Sequence, residues 1–333
     1  MAVYSHSRLS CFENCPRQFH YRYVERIAVD SESIEAFLGK RVHDVLERLN
    51  RFVLRGLVPS LAKVVERFRS EWHEHFDAGR VRIVRSEMPA ASYREVGERC
   101  LGNHYRRHYP FDRDETLGIE AHVAFSLDGG DRYRMQGYVD RIARAPDGAL
   151  EIHDYKTGRF VPSQQSLDDD RQLALYQLGL EERYGAGEVR LVWHYLQRNQ
   201  LRVSTRTRGQ LDGLRGRTIE LIDRIEAERA YDPKPSALCT WCEFNHLCPA
   251  YAARATSAAL APPPSPKTPP PSLQEAAPPP PEQSDRLEHP PQGAEGAAQR
   301  GEAERSRQME AERSSSRRAA AQQPTAPAQL PLL

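Results

Sequence analysis

The chain has 333 residues, a formal net charge of +1 and 28% charged residues. This balance excludes a uniformly basic coat for nucleic-acid binding, so any such surface must arise from local clustering of Arg and Lys. The sequence contains no run of about 18 apolar residues, and its N-terminus lacks the apolar core of a signal peptide. We therefore expect a soluble, cytoplasmic protein with no membrane partner.

The last quarter of the chain differs in composition from the rest. Of the 25 prolines, 16 lie after Tyr251, and no Phe, Trp or Tyr follows that position. A segment without aromatic residues and with long polar stretches cannot bury enough apolar surface to offset its conformational entropy. We therefore predict one folded unit over residues 1–253 and a disordered tail, rich in Pro, Ala, Gln, Arg and Glu, over residues 254–333.

Helical periodicity dominates the first third of the chain. Apolar residues three or four positions apart predict helices over 5–26, 34–54, 60–77 and 92–109. Pro16 must lie at a break or in a new first turn of the first of these helices, because proline cannot continue a helix from within.

The middle of the folded unit changes to a strand pattern. Short runs of β-branched and aromatic residues, separated by Gly-containing turns, predict an antiparallel meander over 117–127, 132–144 and 149–155. The later predicted elements are a helix over 170–184 begun by Asp168–Asp170, strands over 188–197 and 200–206, and a helix over 207–229. The sequence thus predicts an α/β fold with a mixed central sheet of about five strands flanked by helices.

Three acids and a lysine fall on the predicted meander. Glu120 lies on its first strand, Asp140 near the end of its second, and Asp154 and Lys156 on its third. Strand alternation places Asp154 and Lys156 on one face, with Tyr155 pointing away. Two neighbouring carboxylates favour a hard divalent cation such as Mg2+ or Mn2+, beside which a lysine can assist an attacking water. The alternative is a surface ion pair on an exposed sheet face.

Four motifs occur in the order found in one nuclease family. They are Gly39-x3-His43-x3-Glu47, Gly137-Tyr138-Val139-Asp140, Asp154-Tyr155-Lys156-Thr157-Gly158 and Gln172-x3-Tyr176. With them, the chain resembles the PD-(D/E)XK nuclease superfamily, in its RecB-like exonuclease branch. The sequence departs from the superfamily name at two positions, because Val139 replaces Pro and Asp154 replaces Glu.

The resemblance implies a role for each motif residue. The implied metal ligands are the side chains of His43, Glu120, Asp140 and Asp154 and the main-chain carbonyl of Tyr155. The implied catalytic residues are Asp140, Asp154, Lys156, Gln172 and Tyr176. Taken alone, His43 would more often be a structural histidine on a helix face, and Gln172 with Tyr176 would more often be an ordinary i, i+4 helix pair.

Cysteines stand at both ends of the predicted folded unit. The four that can act together are Cys15, Cys239, Cys242 and Cys248. Four thiolates can bind a [4Fe–4S] cluster or a tetrahedral Zn2+, and spacing alone does not separate the two. The pattern resembles the iron–sulfur site of AddB-type and CRISPR-adaptation nucleases, which implies the cluster, with Zn2+ as the alternative. Cys11 and Cys100 are expected to be thiols outside the site.

The resemblance and the motifs together indicate a metal-dependent DNA nuclease, with exonuclease action in DNA repair, recombination or foreign-DNA processing. Arg residues alternate with aromatic residues between Arg8 and Arg26, which suits DNA with a single-stranded portion. The chain lacks a phosphate-loop motif, so a helicase or repair partner would supply any unwinding. The alternative function is that of a non-catalytic DNA-binding subunit of a helicase–nuclease complex.

Overall fold

The computed structural model describes residues 2–185 and 187–253, and the predicted tail over 254–333 lies outside this part. Helices come first along the chain: α1 (His6–Asn14), α2 (Pro16–Phe19), α3 (Ile34–Val53), α4 (Leu61–His75) and α5 (Ala90–His108). No helix within the described ranges is both long and apolar enough to cross a bilayer.

The predicted break at Pro16 is confirmed, because this residue begins α2. A proline at the first helical position loses no hydrogen bond, since the N–H there has no partner inside the helix. A five-residue π-helical turn, His20–Val24, follows α2 and was not predicted. Ser5 ends the extended segment before α1, and its side chain accepts a hydrogen bond from the N–H of Arg8, which satisfies one of the free donors of the first turn.

Five strands form the central sheet in sequence order: β3 (Glu115–Ser126), β4 (Arg134–Arg144), β5 (Leu150–Lys156), β6 (Val189–Tyr195) and β7 (Gln200–Ser204). The first three are antiparallel, as predicted, β5 and β6 are parallel, and β6 and β7 are antiparallel. The sheet is therefore mixed. Two short strands outside it, β1 (Glu32–Ser33) and β2 (Val81–Arg82), pair in parallel and were not predicted.

Three helices accompany the second half of the sheet. They are α6 (Gln164–Asp168), α7 (Gln172–Tyr184) and α8 (Arg208–Ala227). The predicted start of α7 is correct only in part. Asp170 accepts a hydrogen bond from the first helical N–H, at Gln172, with an N···O distance of 2.8 Å. Asp168 instead ends the unpredicted helix α6 and accepts a hydrogen bond from the hydroxyl of Ser204.

The apolar side chains form two layers, one on each face of the sheet. The layer that includes residues of α7 and α8 also contains Leu150 and Ile152 of β5. The layer formed mainly by α3, α4 and α5 contains Tyr155. Because successive side chains of a strand point to opposite faces, β5 is buried on both sides and separates the two layers. The predicted direction of Tyr155, away from Asp154 and Lys156, is therefore confirmed.

Candidate active site

Three acidic residues lie side by side across the antiparallel strands. On β3 and β4, the residues flanking Glu120 pair with those flanking Asp140. The paired part of β4 and β5 ends at the residues adjacent to Asp140 and Asp154. The register therefore places Glu120 opposite Asp140, and Asp140 opposite Asp154. The meander brings together the acids that the sequence analysis selected.

Glu120 interrupts the regular geometry of β3. Its φ of +46° lies in the left-handed region, which residues other than glycine seldom adopt. Burial, followed by the negative charge of Asp140, raises the pKa of Glu120 to about 7. A strained backbone and a carboxyl crowded by another carboxyl are features that occur together at functional sites.

His43 connects α3 to this row of acids. Its Nε2 lies 2.8 Å from the carbonyl oxygen of Tyr155, and its Nδ1 lies 3.4 Å from Oδ1 of Asp140. The other carboxylate oxygen of Asp140 accepts a hydrogen bond from the N–H of Tyr155, at 2.6 Å. Burial alone would lower the pKa of His43, but the hydrogen bond and charge of Asp140, with the charge of Asp154, raise it to about 9. The imidazole thus occupies a strongly negative environment that favours a cation.

Asp154, Lys156 and Gln172 form a closed group on the other side of Asp140. The Nζ of Lys156 lies 2.7 Å from Oδ2 of Asp154 and donates a hydrogen bond to Oε1 of Gln172, at 2.9 Å. The amide nitrogen of Gln172 donates to Oδ1 of Asp154, at 3.1 Å. Burial, opposed by the ammonium of Lys156 and supported by the charge of Asp140, raises the pKa of Asp154. The sheet and α7 therefore hold this lysine in one position, facing the acids.

Tyr176 lies one turn after Gln172 on α7, and its ring packs against β4 at Gly137. A side chain at position 137 would collide with the ring of Tyr176. The glycine three residues before Asp140 therefore lets α7 approach the strand that carries this acid. Burial raises the pKa of the Tyr176 phenol.

The donor atoms suit a hard divalent cation. The ligand atoms of His43, Glu120 and Asp140 all lie within 4.8 Å of one another. Asp154 is outside that group, but its Oδ2 is buried and makes no well-formed hydrogen bond, although the ammonium of Lys156 is near. Carboxylate and carbonyl oxygens are ligands that Mg2+ and Mn2+ prefer, and the imidazole adds a nitrogen ligand of the kind that transition metals bind. The residues present therefore fit such an ion, with His43, Glu120 and Asp140 as its nearest ligands.

The four selected cysteines line one pocket. This pocket, of about 390 Å³, is bordered by Cys15, Cys239, Cys242 and Cys248. Among the described residues, no group of three or more metal-binding side chains with ligand atoms within 4.8 Å of one another contains a cysteine. Cys15 and Cys239 accept hydrogen bonds from the backbone N–H groups of Lys234 and Ser236. The thiols thus surround a common space without meeting at its centre.

The other two cysteines are separate from this pocket. Cys11 is 5% exposed and Cys100 is fully buried. Burial raises the pKa of Cys11 to about 11 and that of Cys100 to about 12. Both are therefore protonated core residues in this structure.

Two exposed aromatic side chains that are close in sequence to site residues were not selected from the sequence. Tyr138, two residues before Asp140 on β4, is 61% exposed, and Phe160, four residues after Lys156, is 79% exposed. Exposure of large apolar side chains cannot be read from periodicity, since both residues fit an ordinary strand and loop pattern.

Comparison with known proteins identifies the family. The model of the PD-(D/E)XK nuclease superfamily matches residues 3–249, so the chain belongs to that superfamily. The predicted fold class is confirmed, and membership together with the acids and lysine on the meander supports nuclease activity. Members of this superfamily generally use divalent metal ions.

The chain is also similar to two solved structures. One is described as a "Putative exonuclease" from Eubacterium rectale, with 13% identity, coverage of 73% of this chain and 88% of that chain, and a TM-score of 0.44. The other is SSO0001, with 16% identity, coverage of 75% of this chain and 86% of that chain, and a TM-score of 0.34. The curated proteins contain no significant match.

Proposed function

We propose that this protein is a metal-dependent DNA exonuclease of the RecB-like branch. The observation that carries the proposal is the row formed by Glu120, Asp140 and Asp154, with Lys156 held 2.7 Å from Asp154. An exposed structural ion pair would require neither the adjoining acids nor the buried carboxylate oxygen. The arrangement matches what hydrolysis of a phosphodiester requires, namely a cation site beside a positioned ammonium.

The protein residues divide the work as follows. His43, Glu120, Asp140, Asp154 and the carbonyl of Tyr155 would hold Mg2+ or Mn2+, which when bound supplies Lewis-acid stabilisation of charge on the phosphate oxygens. Lys156 orients the attacking water and offsets negative charge that develops on the phosphate. Gln172 keeps the ammonium aimed at Asp154 through its two hydrogen bonds. Tyr176 places α7 against β4 and positions the scissile strand.

Cleavage of end-labelled DNA tests this function. The purified full-length protein should degrade 5′- and 3′-labelled single and double strands in Mg2+ or Mn2+ and lose this activity in excess chelator. Progressive shortening from one labelled end would support exonuclease action and establish its polarity. DNA binding without cleavage in either metal would contradict the proposal and support a non-catalytic DNA-binding subunit instead.

Single-stranded DNA is the proposed substrate form. Tyr138 and Phe160 expose aromatic surface on either side of the stretch from Asp140 to Lys156 in sequence, and stacking of a base on such a ring contributes about 1–3 kcal/mol. Phe160→Ala should therefore weaken single-strand binding by about tenfold. Its thermal stability should stay unchanged, because the side chain is mostly exposed. Equal affinity of variant and parent for single strands would remove Phe160 from the binding surface.

We further propose that the cysteine pocket holds a [4Fe–4S] cluster. Tetrahedral zinc bonds of about 2.3 Å would bring the sulfur atoms to within about 4 Å of one another. The four thiols instead surround a larger volume, and N–H···S hydrogen bonds of the kind made by Lys234 tune cluster potentials. The ligands would join the start of α2 to the segment after α8, and so hold distant parts of the chain together.

Visible absorption tests the cluster. Anaerobically purified protein should be brown and contain about four iron atoms per chain. Cys242→Ser should lose most of the colour, whereas Cys100→Ser should keep it. A colourless folded parent with one equivalent of zinc would establish the zinc alternative.

The cellular role and the domain boundary are proposed on the resemblance and composition alone. We place the nuclease domain, with its cluster-binding ends, over 1–253 and a disordered tail over 254–333. The pathway would be DNA repair, recombination or foreign-DNA processing, with a helicase or repair protein as partner. Limited proteolysis should leave a stable fragment that ends near residue 253.

A further inference from the structure

Three histidines meet on the side of β5 that faces away from Asp154 and Lys156. His104 and His108 are four residues apart on α5, and His194 lies on β6. One ring nitrogen of each lies within 4.8 Å of the others. Their ring centroids are separated by 4.4, 5.2 and 5.6 Å. Residues of a helix and of a strand distant in sequence therefore converge on one point.

The imidazoles in this group have unused nitrogens in a buried place. His104 is 4% exposed, and neither of its ring nitrogens makes a hydrogen bond. The Nε2 of His108 is also buried without a partner. A buried polar atom without a partner is unfavourable, because it has lost its hydration and gained no hydrogen bond. A metal ion that binds all of these nitrogens would give each of them a partner.

The imidazoles are also in the protonation state that a metal requires. Burial, followed by the positive charge of Arg141, lowers the pKa of His108 to about 4. Burial likewise lowers the pKa of His104 and of His194 well below the usual value. Neutral imidazole has a lone pair to donate at neutral pH, whereas the imidazolium form does not.

A second layer of hydrogen-bonding groups orients His194. Its Nε2 lies 2.8 Å from Nδ1 of His153, whose buried Nε2 lies 3.3 Å from Oε2 of Glu151, a charge contact without a well-formed hydrogen bond. The carboxylate favours the proton on Nε2 of His153, so Nδ1 of His153 accepts the proton of Nε2 of His194. This tautomer, assigned from the contacts, leaves Nδ1 of His194 free to bind a metal. Carboxylate–histidine chains of this kind typically support metal-binding histidines.

We propose that His104, His108 and His194 form a second metal site, which binds Zn2+. Imidazole nitrogens select zinc and related late transition metals over Mg2+ and Ca2+. Bonds of 2.0–2.1 Å would draw the three nitrogens to about 3.4 Å apart, a small change from their present spacing. A cavity of about 10 Å³ borders all three rings, which suffices for one water as fourth ligand but not for a substrate.

The charges around the histidines are compatible with a divalent ion. Arg141 is a buried cation whose charge acts on these histidines, and it forms an ion pair with Asp114. Glu151 contributes a further negative charge behind His153. Arg107, on the same helix as the ligands, points to Asn199 and bonds to its side chain and carbonyl. The nearby positive charges are therefore paired or directed elsewhere, and a carboxylate is available to offset the charge of the ion.

The site would fasten α5 to the sheet directly behind the row of acids. The ring of Tyr155 packs against His104 and His194, with centroids 5.1 Å apart in each case. The backbone of the same Tyr155 holds Asp140 and His43. A zinc ion in this place stabilises the fold, and its presence can be tested whether or not the protein cleaves DNA.

Metal titration of the full-length protein tests the proposal. Chelator-treated parent, with excess Mg2+ to fill the carboxylate site, should bind one more equivalent of Zn2+ than His108→Gln. The control His73→Gln changes an exposed histidine of α4 and should bind as the parent does. Zn2+ should raise the melting temperature of parent and control, with a smaller rise in His108→Gln.

A second variant distinguishes the loss of a zinc site from misfolding of the protein. Glu151→Gln keeps all three ligands and should bind Zn2+ about tenfold more weakly with unchanged stoichiometry. Co2+ in the same site should give visible d–d bands without the near-ultraviolet charge-transfer band of a thiolate, which separates it from the cysteine pocket. Equal Zn2+ stoichiometry and affinity in His108→Gln, Glu151→Gln and the parent would overturn the proposal.

Discussion

The two faces of β5 carry opposite chemistry within seven residues. On one face, Asp154 and Lys156 form an ion pair beside further acids, and the lysine side chain is 35% exposed. On the other face, His153 and Tyr155 lie in a buried layer of neutral imidazoles and aromatic rings. The first face holds charge close to solvent, whereas burial on the second lowers the pKa of His104, His108, His153 and His194.

This difference shows how strand alternation can separate the proposed site from the groups that support it. The charged side chains of β5 lie on one side, while the backbone of Tyr155 between them accepts and donates hydrogen bonds to His43 and Asp140. The side chain of the same residue is anchored in the other layer. Changes on the charged face should therefore affect chemistry first, and changes on the buried face should affect stability first.

Replacement of the lysine tests the charged face and should give the largest effect. Lys156→Ala removes the ammonium next to Asp154, so cleavage should fall by at least about a hundredfold. DNA affinity and melting temperature should change little, because the side chain is partly exposed. Single-turnover cleavage and filter binding measure the two quantities. The control is Lys63→Ala, which changes an exposed lysine of α4. If Lys156→Ala cleaves DNA as fast as Lys63→Ala does, Lys156 has no role in cleavage.

The pH dependence of the free energy of unfolding tests a neutral histidine, His6, on the charged side of the sheet. Burial, followed by the charge of Arg171, lowers the pKa of His6 to about 4. As pH falls, His6 therefore becomes protonated in the unfolded state before it does in the folded state. The free energy of unfolding decreases as pH falls from about 6.5 towards 4. The loss from this group amounts to about 3 kcal/mol at most. His6→Gln should show a shallower decline in denaturant melts over this range, whereas an unchanged slope relative to His73→Gln would contradict the assignment.

A buried amide tests the other face and should give the smallest effect. Asn50 on α3 donates a hydrogen bond to the hydroxyl of Tyr155 at 3.3 Å, and both side chains are buried. Asn50→Ala should lower the free energy of unfolding by about 1–2 kcal/mol. Cleavage at a temperature well below the melting point should stay within a few-fold of the parent. A loss of cleavage as large as that of Lys156→Ala would show that the two faces are not separable.

Much of the fold could be predicted because its signals are local. The helical period over residues 34–54 and the Gly-containing turns of the meander depend on neighbours in sequence, and the structure confirms α3 and the first three strands. The short strands β1 and β2 were missed, since two residues carry no period. The helix α6 was missed because Asp168 was interpreted as the start of the next helix.

The site was predictable in part for the same reason. Asp154 and Lys156 are two residues apart, so strand alternation alone places them together. The buried histidine group was not predicted, although His104 and His108 have the i, i+4 spacing of a metal pair, because the third histidine lies far along the chain. The left-handed backbone at Glu120 also escaped prediction, since nothing in the local sequence requires it.

We propose that the row of acids holds a cation used to cleave DNA. Asp154→Asn keeps the size of the side chain and removes its charge, so this variant tests whether the carboxylate is needed to hold the cation. In Mg2+, we expect cleavage of end-labelled single strands to fall at least about a hundredfold in Asp154→Asn. Asp128→Asn, at an exposed turn, should match the parent. Cleavage by Asp154→Asn at the parental rate, or parental cleavage that persists in excess chelator, would show that the acids do not hold a cation needed for cleavage.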